Sequence, residues 1–407
     1  MISDKNIICF ASGWNFHPTS KHHIMRQLAE RNNVIWVNWH ASRRPSIRPS
    51  DLCTMAAKLL QIRRGPRVVS EQMTVLTPLQ VPLPGSTLAR RITARLVCRA
   101  VRKVLDSLPP RPVQVWSFAP DIGDLVGRFN EELAIYYCVD AFGEFPGYDR
   151  ELILRREREL IDKCGLVLTT SRPLYEAKRR LHPNVHLIEH GVNARHLSRA
   201  VWEDIAVPPD LAALPRPVLG FVGVVGEWVD LDLLAGLARS RPDASIVLIG
   251  PSVTPLGSLV NLPNVHCLGP KDHSDLPAYL RGFDVGLIPF RDVPLTHHAN
   301  PIKLYEYLAA GLPVVSTPLP AVRELEGSVW LAADVAGAVA GCAQAIESNT
   351  QAARVNRARL MAAESWPARL EQIGKLIAAA IGRAPAVEET PAHAASRALV
   401  TATVEAQ

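Results

Sequence analysis

Residues 300–315 run Asn-Pro-Ile-Lys-Leu-Tyr-Glu-Tyr-Leu-Ala-Ala-Gly-Leu-Pro-Val-Val, and two opposite charges, Lys303 and Glu306, stand three positions apart in them. Asn300 is suited to cap a helix, Pro301 to enter its first turn, and Gly311 with Pro313 to end it. The first turn of such a helix offers backbone N–H groups that suit a diphosphate, and Lys303 adds a full positive charge. Glu306, on the same face, has the chemistry to accept hydrogen bonds from both hydroxyls of a ribose. The same residues equally describe a Lys-Glu pair on a solvated helix face.

Three further stretches carry candidate groups. Gly220-Phe221-Val222-Gly223-Val224-Val225-Gly226-Glu227-Trp228 predicts a strand and a glycine loop. Gly223 and Gly226 would let backbone approach a phosphate or sugar, with Glu227 and Trp228 beside it; a tight turn closed by core packing is the alternative. The spacing is not that of a dinucleotide fingerprint. Asp140, at the end of Tyr136-Tyr137-Cys138-Val139-Asp140, falls just beyond a buried strand, where open α/β sheets form their crevice. It is the preferred catalytic carboxylate, a base for an attacking hydroxyl, with a turn or cap acid as the alternative. Gly13, His17, Lys21, His22 and His23 cluster after the first strand, and His190 lies in Glu189-His190-Gly191-Val192-Asn193. The adjacent His297 and His298 lack carboxylates or cysteines at ligand spacing, so no metal is expected.

The pattern K-x-x-E-Y-x-A-A-G-x-P-V-V from Lys303 to Val315 resembles the donor-binding segment of GT-B glycosyltransferases, especially bacterial polysaccharide enzymes grouped with family 4. The resemblance implies that the Lys303 region holds the diphosphate of a nucleoside-diphosphate sugar and Glu306 its ribose. It implies that the glycine loop with Glu227 and Trp228 lies on the donor side. Tyr136 to Asp140, with Phe145, Glu159 and Ser171, is similar to polysaccharide transferases related to those making teichuronic acid. The His190 segment resembles the family's N-G-V-D turn, with His and Asn replacing Asn and Asp, which turns His190 toward the cleft. One departure stands out: many of these enzymes carry two glutamates separated by seven residues, and eight positions before Glu306 this chain has His298. Retention of anomeric configuration therefore does not follow, and His298 or Asn300 becomes the candidate for a sugar hydroxyl.

The elements needed to position these groups are legible as alternating apolar β-branched runs and helical patterns, the mark of parallel βαβ construction. Strands are predicted near residues 7–10, 34–38, 74–77, 113–118, 135–139, 166–169 and 185–188, then 218–222, 245–249, 265–268, 285–288 and 314–316. The expected fold is α/β of the GT-B type, two doubly wound Rossmann-like domains facing a central cleft. The boundaries predicted are an acceptor domain over 1–206, a Pro-rich linker over 207–217, a nucleotide-sugar domain over 218–365, a terminal helix over 366–382 and a disordered tail over 383–407.

A chain of 407 residues suits two such cores. Seven scattered cysteines, with no C-x-x-C pair, argue against a disulfide framework or a zinc site. No run of about 18 uncharged apolar residues is present, and the start lacks the pattern of a signal peptide. A cytoplasmic protein, peripheral on the inner face of the membrane, is the expectation. The net charge is +6, but residues 41–103 hold thirteen Lys and Arg against Asp51 and Glu71, an excess of +11. A stripe of Leu88, Ile92, Leu96 and Val101 flanked by arginines would lie on an anionic membrane. A solvated basic face is the alternative, and nucleic acid ranks last because no binding module is present. The expected partners are a nucleotide-sugar donor and a lipid-linked or oligosaccharide acceptor, with no cofactor. The rivals are a nucleotide-sugar epimerase of the same fold and a non-catalytic sugar-nucleotide-binding protein.

Overall fold

The computed structural model describes residues 2–15, 18–40, 62, 65–83, 85–323 and 329–382. It divides into two units: Met1–Glu189, which takes back the chain at Leu370, and His190–Arg369. His17, the arginines at 43, 44, 48, 63 and 64, and the tail over 383–407 lie outside the described residues.

The first unit is built on an eight-stranded sheet: β1 (Asn6–Ala11), β2 (Asn33–Asn38), β3 (Arg67–Ser70), β4 (Met73–Leu76), β5 (Val113–Ser117), β6 (Leu133–Cys138), β7 (Leu166–Thr169) and β8 (Val185–Leu187). Their order is β3-β4-β2-β1-β5-β6-β7-β8. Every pairing is parallel except β3 with β4. β1, β2 and β6 are buried along their whole length, as a parallel sheet covered by helices on both faces requires. β3 is exposed throughout, and its lack of any apolar alternation is why the sequence pattern does not announce it. Strand order reverses between β1 and β5, so a crevice opens beyond their carboxyl ends.

The second unit holds β9 (Val218–Val222), β10 (Ser245–Ile249), β11 (Val265–Gly269), β12 (Val285–Ile288), β13 (Val314–Ser316) and β14 (Trp330–Leu331). All pair in parallel in the order β11-β10-β9-β12-β13-β14. Its reversal lies between β9 and β12, the strands that lead into the glycine loop and toward the helix Ile302–Ala309. One face packs Val222, Ile288, Leu304 and Tyr307. The other packs Leu219, Phe221, Leu234 and Leu287.

Two expectations are corrected. The Pro-rich stretch 207–217 is not a linker, because Pro209–Ala212 forms a helical turn whose Leu211 is buried with Tyr279 and Leu280 of the second unit. Asp210 accepts hydrogen bonds there from Lys271 Nζ at 2.7 Å and Tyr279 Oη at 3.0 Å. The proline content reports local backbone conformation, and the division of units falls instead after Glu189. Within the helix Thr87–Leu105, Val101 faces the core and is fully buried, so the exposed stripe is not the apolar line of four expected. From Leu88, a step of four reaches Ile92, whereas a step of thirteen to Val101 rotates to the opposite side of a 3.6-residue helix.

Candidate functional site

In the second unit the helix Ile302–Ala309 begins beyond the carboxyl end of the sheet. Its N-cap position is Pro301 and no side chain caps it. Asn300 is therefore not the cap: the residue before a proline is driven to extended backbone, so the helix starts one position later. The Asn300 amide is buried and donates to Tyr305 Oη at 3.1 Å. The first-turn N–H groups thus receive no acceptor from the cap residue's side chain. Lys303 Nζ meets Glu306 Oε2 at 2.6 Å, with both side chains largely buried. The pair is not an exposed ornament, because Glu306 is only 6% exposed. A carboxylate and an ammonium withdrawn together into protein hold each other's position, because leaving either one unpaired there is costly.

The loop beyond β9 lies next to this helix across the strand-order reversal. Gly223 donates to Ile249 O at 2.8 Å, and its carbonyl faces Gly250, where a Cβ would come within 2.0 Å of that oxygen. Gly250, at φ +135°, is a conformation and a contact only glycine accepts. Sequence reasoning missed it, although its place after the apolar run Ser245–Ile249 was available as a signal. The Trp228 ring covers Gly226 so closely that a Cβ would lie 2.5 Å from it, which is the core-packed turn weighed for this segment. Glu227 is exposed. Tyr307 fastens the loop to the helix, its hydroxyl accepting from Val222 N–H at 2.7 Å.

His298 bonds Pro294 O through Nδ1 at 2.7 Å, and His297 is held by Asp292. Among the described residues no group of three or more His, Cys, Asp and Glu is placed to hold a metal. His190 also belongs to this unit. It is 7% exposed, its Nδ1 has no hydrogen-bond partner, and its ring meets Trp366 edge-on at 6.2 Å. Burial depresses its pKa to about 4, with the Arg369 guanidinium acting in the same sense and Glu306 opposing. The segment is clamped from the turn and first residue of the helix Trp366–Ala380: Val192 N–H donates to Glu364 O at 2.9 Å, and the Trp366 ring leaves no room for a side chain at Gly191.

The first unit brings a different set together. Asp140 follows β6, and burial raises its carboxyl pKa to about 6 against the opposing pull of the Lys21 ammonium. The residue keeps some accessible surface, so protein atoms crowd the carboxyl without sealing it. Lys21, at the start of the helix Ser20–Leu28, has its own pKa lowered by burial, with Asp140 and Cys9 opposing. Lys21 is thus the first-unit partner that the sequence analysis named but did not distinguish. Gly13 lies in the bend just past β1.

His22 is a core residue. It is fully buried, its ring packs on Trp14 and Trp36, Nε2 donates to Trp14 O at 3.2 Å, and Nδ1 accepts from Thr19 N–H. Burial holds its pKa down to about 3. A buried group with no signal in the sequence pattern lies under β6: Glu157 accepts from Tyr136 Oη at 2.7 Å and Lys178 Nζ at 2.6 Å. Glu159, noted from the resemblance, pairs instead with Arg90 and Arg156.

Comparison with known proteins bears on this geometry. Residues 216–349 match the family model described as Glycosyl transferases group 1. A Bacillus subtilis (strain 168) protein, assigned to teichuronic acid biosynthesis as the glycosyltransferase TuaH, is 28% identical over 247 residues, 55% of this chain and 61% of that protein. The chain therefore spans about three fifths of the length of this relative. Among solved structures, sucrose-phosphate synthase from Thermosynechococcus elongatus superposes with a TM-score of 0.65 at 17% identity, covering 93% of this chain and 100% of that one. HepE of Anabaena, solved with UDP and glucose, gives 0.65 at 13% identity, covering 92% and 99%. These establish the fold as GT-B, with two doubly wound α/β units. No described helix is long and apolar enough to cross a membrane.

Proposed function

We propose that this chain, which carries a group 1 glycosyltransferase domain over residues 216–349, moves a sugar from a nucleoside-diphosphate sugar to an acceptor hydroxyl in bacterial surface or exopolysaccharide synthesis, at the cytoplasmic side of the membrane. The observation that carries the reading is the Lys303–Glu306 pair on an uncapped helix start beside the strand-order reversal of the second sheet. A diphosphate arriving at the first-turn N–H groups draws the Lys303 ammonium to itself. Glu306 is then released from its partner and accepts hydrogen bonds from the ribose hydroxyls. As the sugar–phosphate bond breaks, negative charge grows on the leaving diphosphate. Lys303 and the helix N–H groups stabilise it from fixed positions, the electrostatic part a metal plays elsewhere, and the reaction proposed is metal-independent. His298 and Asn300 stand at the entrance to the same helix as candidates for the sugar hydroxyls.

Asp140 is proposed as the base that takes the proton from the acceptor hydroxyl. A carboxyl with a pKa near 6 is mostly ionised at neutral pH and is a better proton acceptor than an ordinary aspartate. Lys21 keeps it charged despite its burial. The acceptor proposed is a lipid-linked or oligosaccharide glycan, by likeness to the teichuronic acid relative. An epimerase would need acid and base groups around the sugar of the second unit itself, and the family match favours transfer.

The test is thermal stabilisation of the purified chain by UDP, GDP, TDP and ADP and their sugar conjugates, without added metal. Selective stabilisation by one nucleotide, lost in Glu306→Ala, is the expected result. Equal responses of the parent and Glu306→Ala to every nucleotide would overturn the site.

A further inference from the structure

The helix Thr87–Leu105 turns one face to the core and an unusual one outward. Its core side is set by Ala89, Thr93, Val97, Val101 and Val104. Its exposed side presents Leu88, Arg91, Ile92, Arg95, Arg99, Arg102 and Lys103, a stripe of five cations and two aliphatic residues without a carboxylate. Neither aliphatic residue is grazing: Leu88 is 69% exposed and Ile92 39%, and Leu83, in the turn that leads into the helix, is 59% exposed.

The two chemistries are ordered along the axis. Leu88 and Ile92 occupy the first two turns with Arg91 between them, and beyond Ile92 the stripe is cationic. From Leu88 to Lys103 the stripe runs roughly 22 Å at 1.5 Å per residue. Beside its basic half lies a groove of about 520 Å³, lined by Arg95, Arg99, Arg102, Lys103 and Arg128 with Asp106 as its single carboxylate. Arg102 donates to the Arg128 main-chain carbonyl at 2.8 Å and Arg128 Nε to Asp124 O at 2.8 Å, which holds both guanidinium groups in place beside the groove. The helix joins β4 to the parallel β5, so its basic end lies at the amino-terminal edge of the sheet, the edge away from Asp140.

We infer that this face docks on an anionic phospholipid bilayer, with Leu83, Leu88 and Ile92 entering the interface and the arginine and lysine row resting on the headgroup phosphates. The inference goes beyond the transfer reaction and stands on the first unit alone. Length decides against a site for one phosphate, because the cations are spread over a line several headgroups long. Exposed leucine and isoleucine decide against a nucleic acid, whose backbone offers them nothing to bury against. Charge complementarity favours a surface rich in phosphatidylglycerol over a zwitterionic one, at about a fivefold gain in partition per basic residue close to it.

The test is co-sedimentation of the full chain with vesicles of phosphatidylglycerol mixed with phosphatidylcholine, against vesicles of phosphatidylcholine alone. Binding to the first and not the second is expected, weakening as salt is raised. Arg95→Glu, Arg99→Glu and Lys103→Glu together are expected to lower the partition at least about a hundredfold. Leu88→Ser with Ile92→Ser should lower it several-fold at fixed charge. Inorganic phosphate at the same total phosphate as the vesicles should fail to displace the chain. A homopolymeric RNA should bind more weakly than the vesicles. An unchanged partition of the triple variant, full displacement by free phosphate, or tighter binding to RNA would each overturn the inference. Stabilisation by the donor nucleotide reports on the second unit and separates loss of this surface from loss of the fold. Should the triple variant not fold, Arg95→Gln and Arg99→Gln singly, each with about a fivefold loss, carry the same test.

Discussion

The two units share an architecture but assemble their candidate groups in opposite ways. In the second, Lys303 and Glu306 come from one turn of one helix, and their 2.6 Å contact is a consequence of three-residue spacing. In the first, Asp140 follows β6 and its electrostatic partner Lys21 begins the helix after β1, with β5 between those strands. The second arrangement is set by local sequence, and the first exists only once the sheet has formed. A binding pair can therefore be preorganised inside an element, whereas a base with a raised pKa needs tertiary burial to acquire that property.

The sharpest way to break the comparison is to remove the groups separately. Asp140→Asn keeps the shape and removes the proton acceptor, so transfer should fall by about 10² to 10⁴-fold while donor-induced stabilisation is unchanged. In the parent, the transfer rate should rise as pH passes upward through about 6, where the Asp140 carboxyl ionises. An Asp140→Asn enzyme that transfers at the parent rate would remove the base from the first unit. Glu306→Ala and Lys303→Ala should act on the other side, weakening donor binding by about ten- to a hundredfold, measured by titration calorimetry, as expected for hydrogen bonds to charged groups. A loss of donor affinity in Asp140→Asn equal to that in Glu306→Ala would erase the distinction between the units.

The same contrast explains what was legible beforehand. The central strands of both sheets carry runs of apolar residues because both faces are covered, and runs such as Val218–Val222 and Ser245–Ile249 announce themselves. Lys303 and Glu306 were visible as a pair because their spacing is their geometry. Lys21 was not distinguished from its neighbours His22 and His23, since only packing makes His22 a core residue and places Lys21 within reach of Asp140. The buried Glu157–Lys178 pair joins two helices and has no local signature. Gly250 was passed over because its requirement comes from the Gly223 carbonyl across the sheet end, not from its own segment. Asn before a helical pattern is a good cap in general, but the proline that follows Asn300 moves the helix start one position on, which the residue type alone does not reveal.

Gly250→Ala sharpens the comparison at the level of stability. Its Cβ would press on the Gly223 carbonyl at a positive φ, so the glycine loop must shift, at a cost of about 1–3 kcal/mol. Chemical denaturation should show that loss, and donor binding should weaken with it, since the displaced loop flanks the helix Ile302–Ala309. Unchanged stability with full donor binding would mean that the loop tolerates the shift.

The smallest expected effect concerns acid. His190, with a pKa near 4 against about 6.5 when unfolded, favours the folded state while it is neutral. Its contribution is fully present above about pH 6.5 and is lost as pH falls through 4. In the first unit His22 acts in the same direction, but Asp140 opposes it. A carboxyl whose pKa is raised from about 3.8 to about 6 stabilises the fold most when protonated, so its contribution grows as pH drops from 6 toward 4. The second unit, where no carboxyl among the described residues is raised in this way, should lose protection earlier on acidification. His190→Gln should abolish that part of the loss, on the order of 1 kcal/mol near pH 5. Amide hydrogen exchange followed between pH 7 and about pH 5 reads the two units separately. A slope in the second unit that His190→Gln leaves untouched would assign the acid sensitivity to another group.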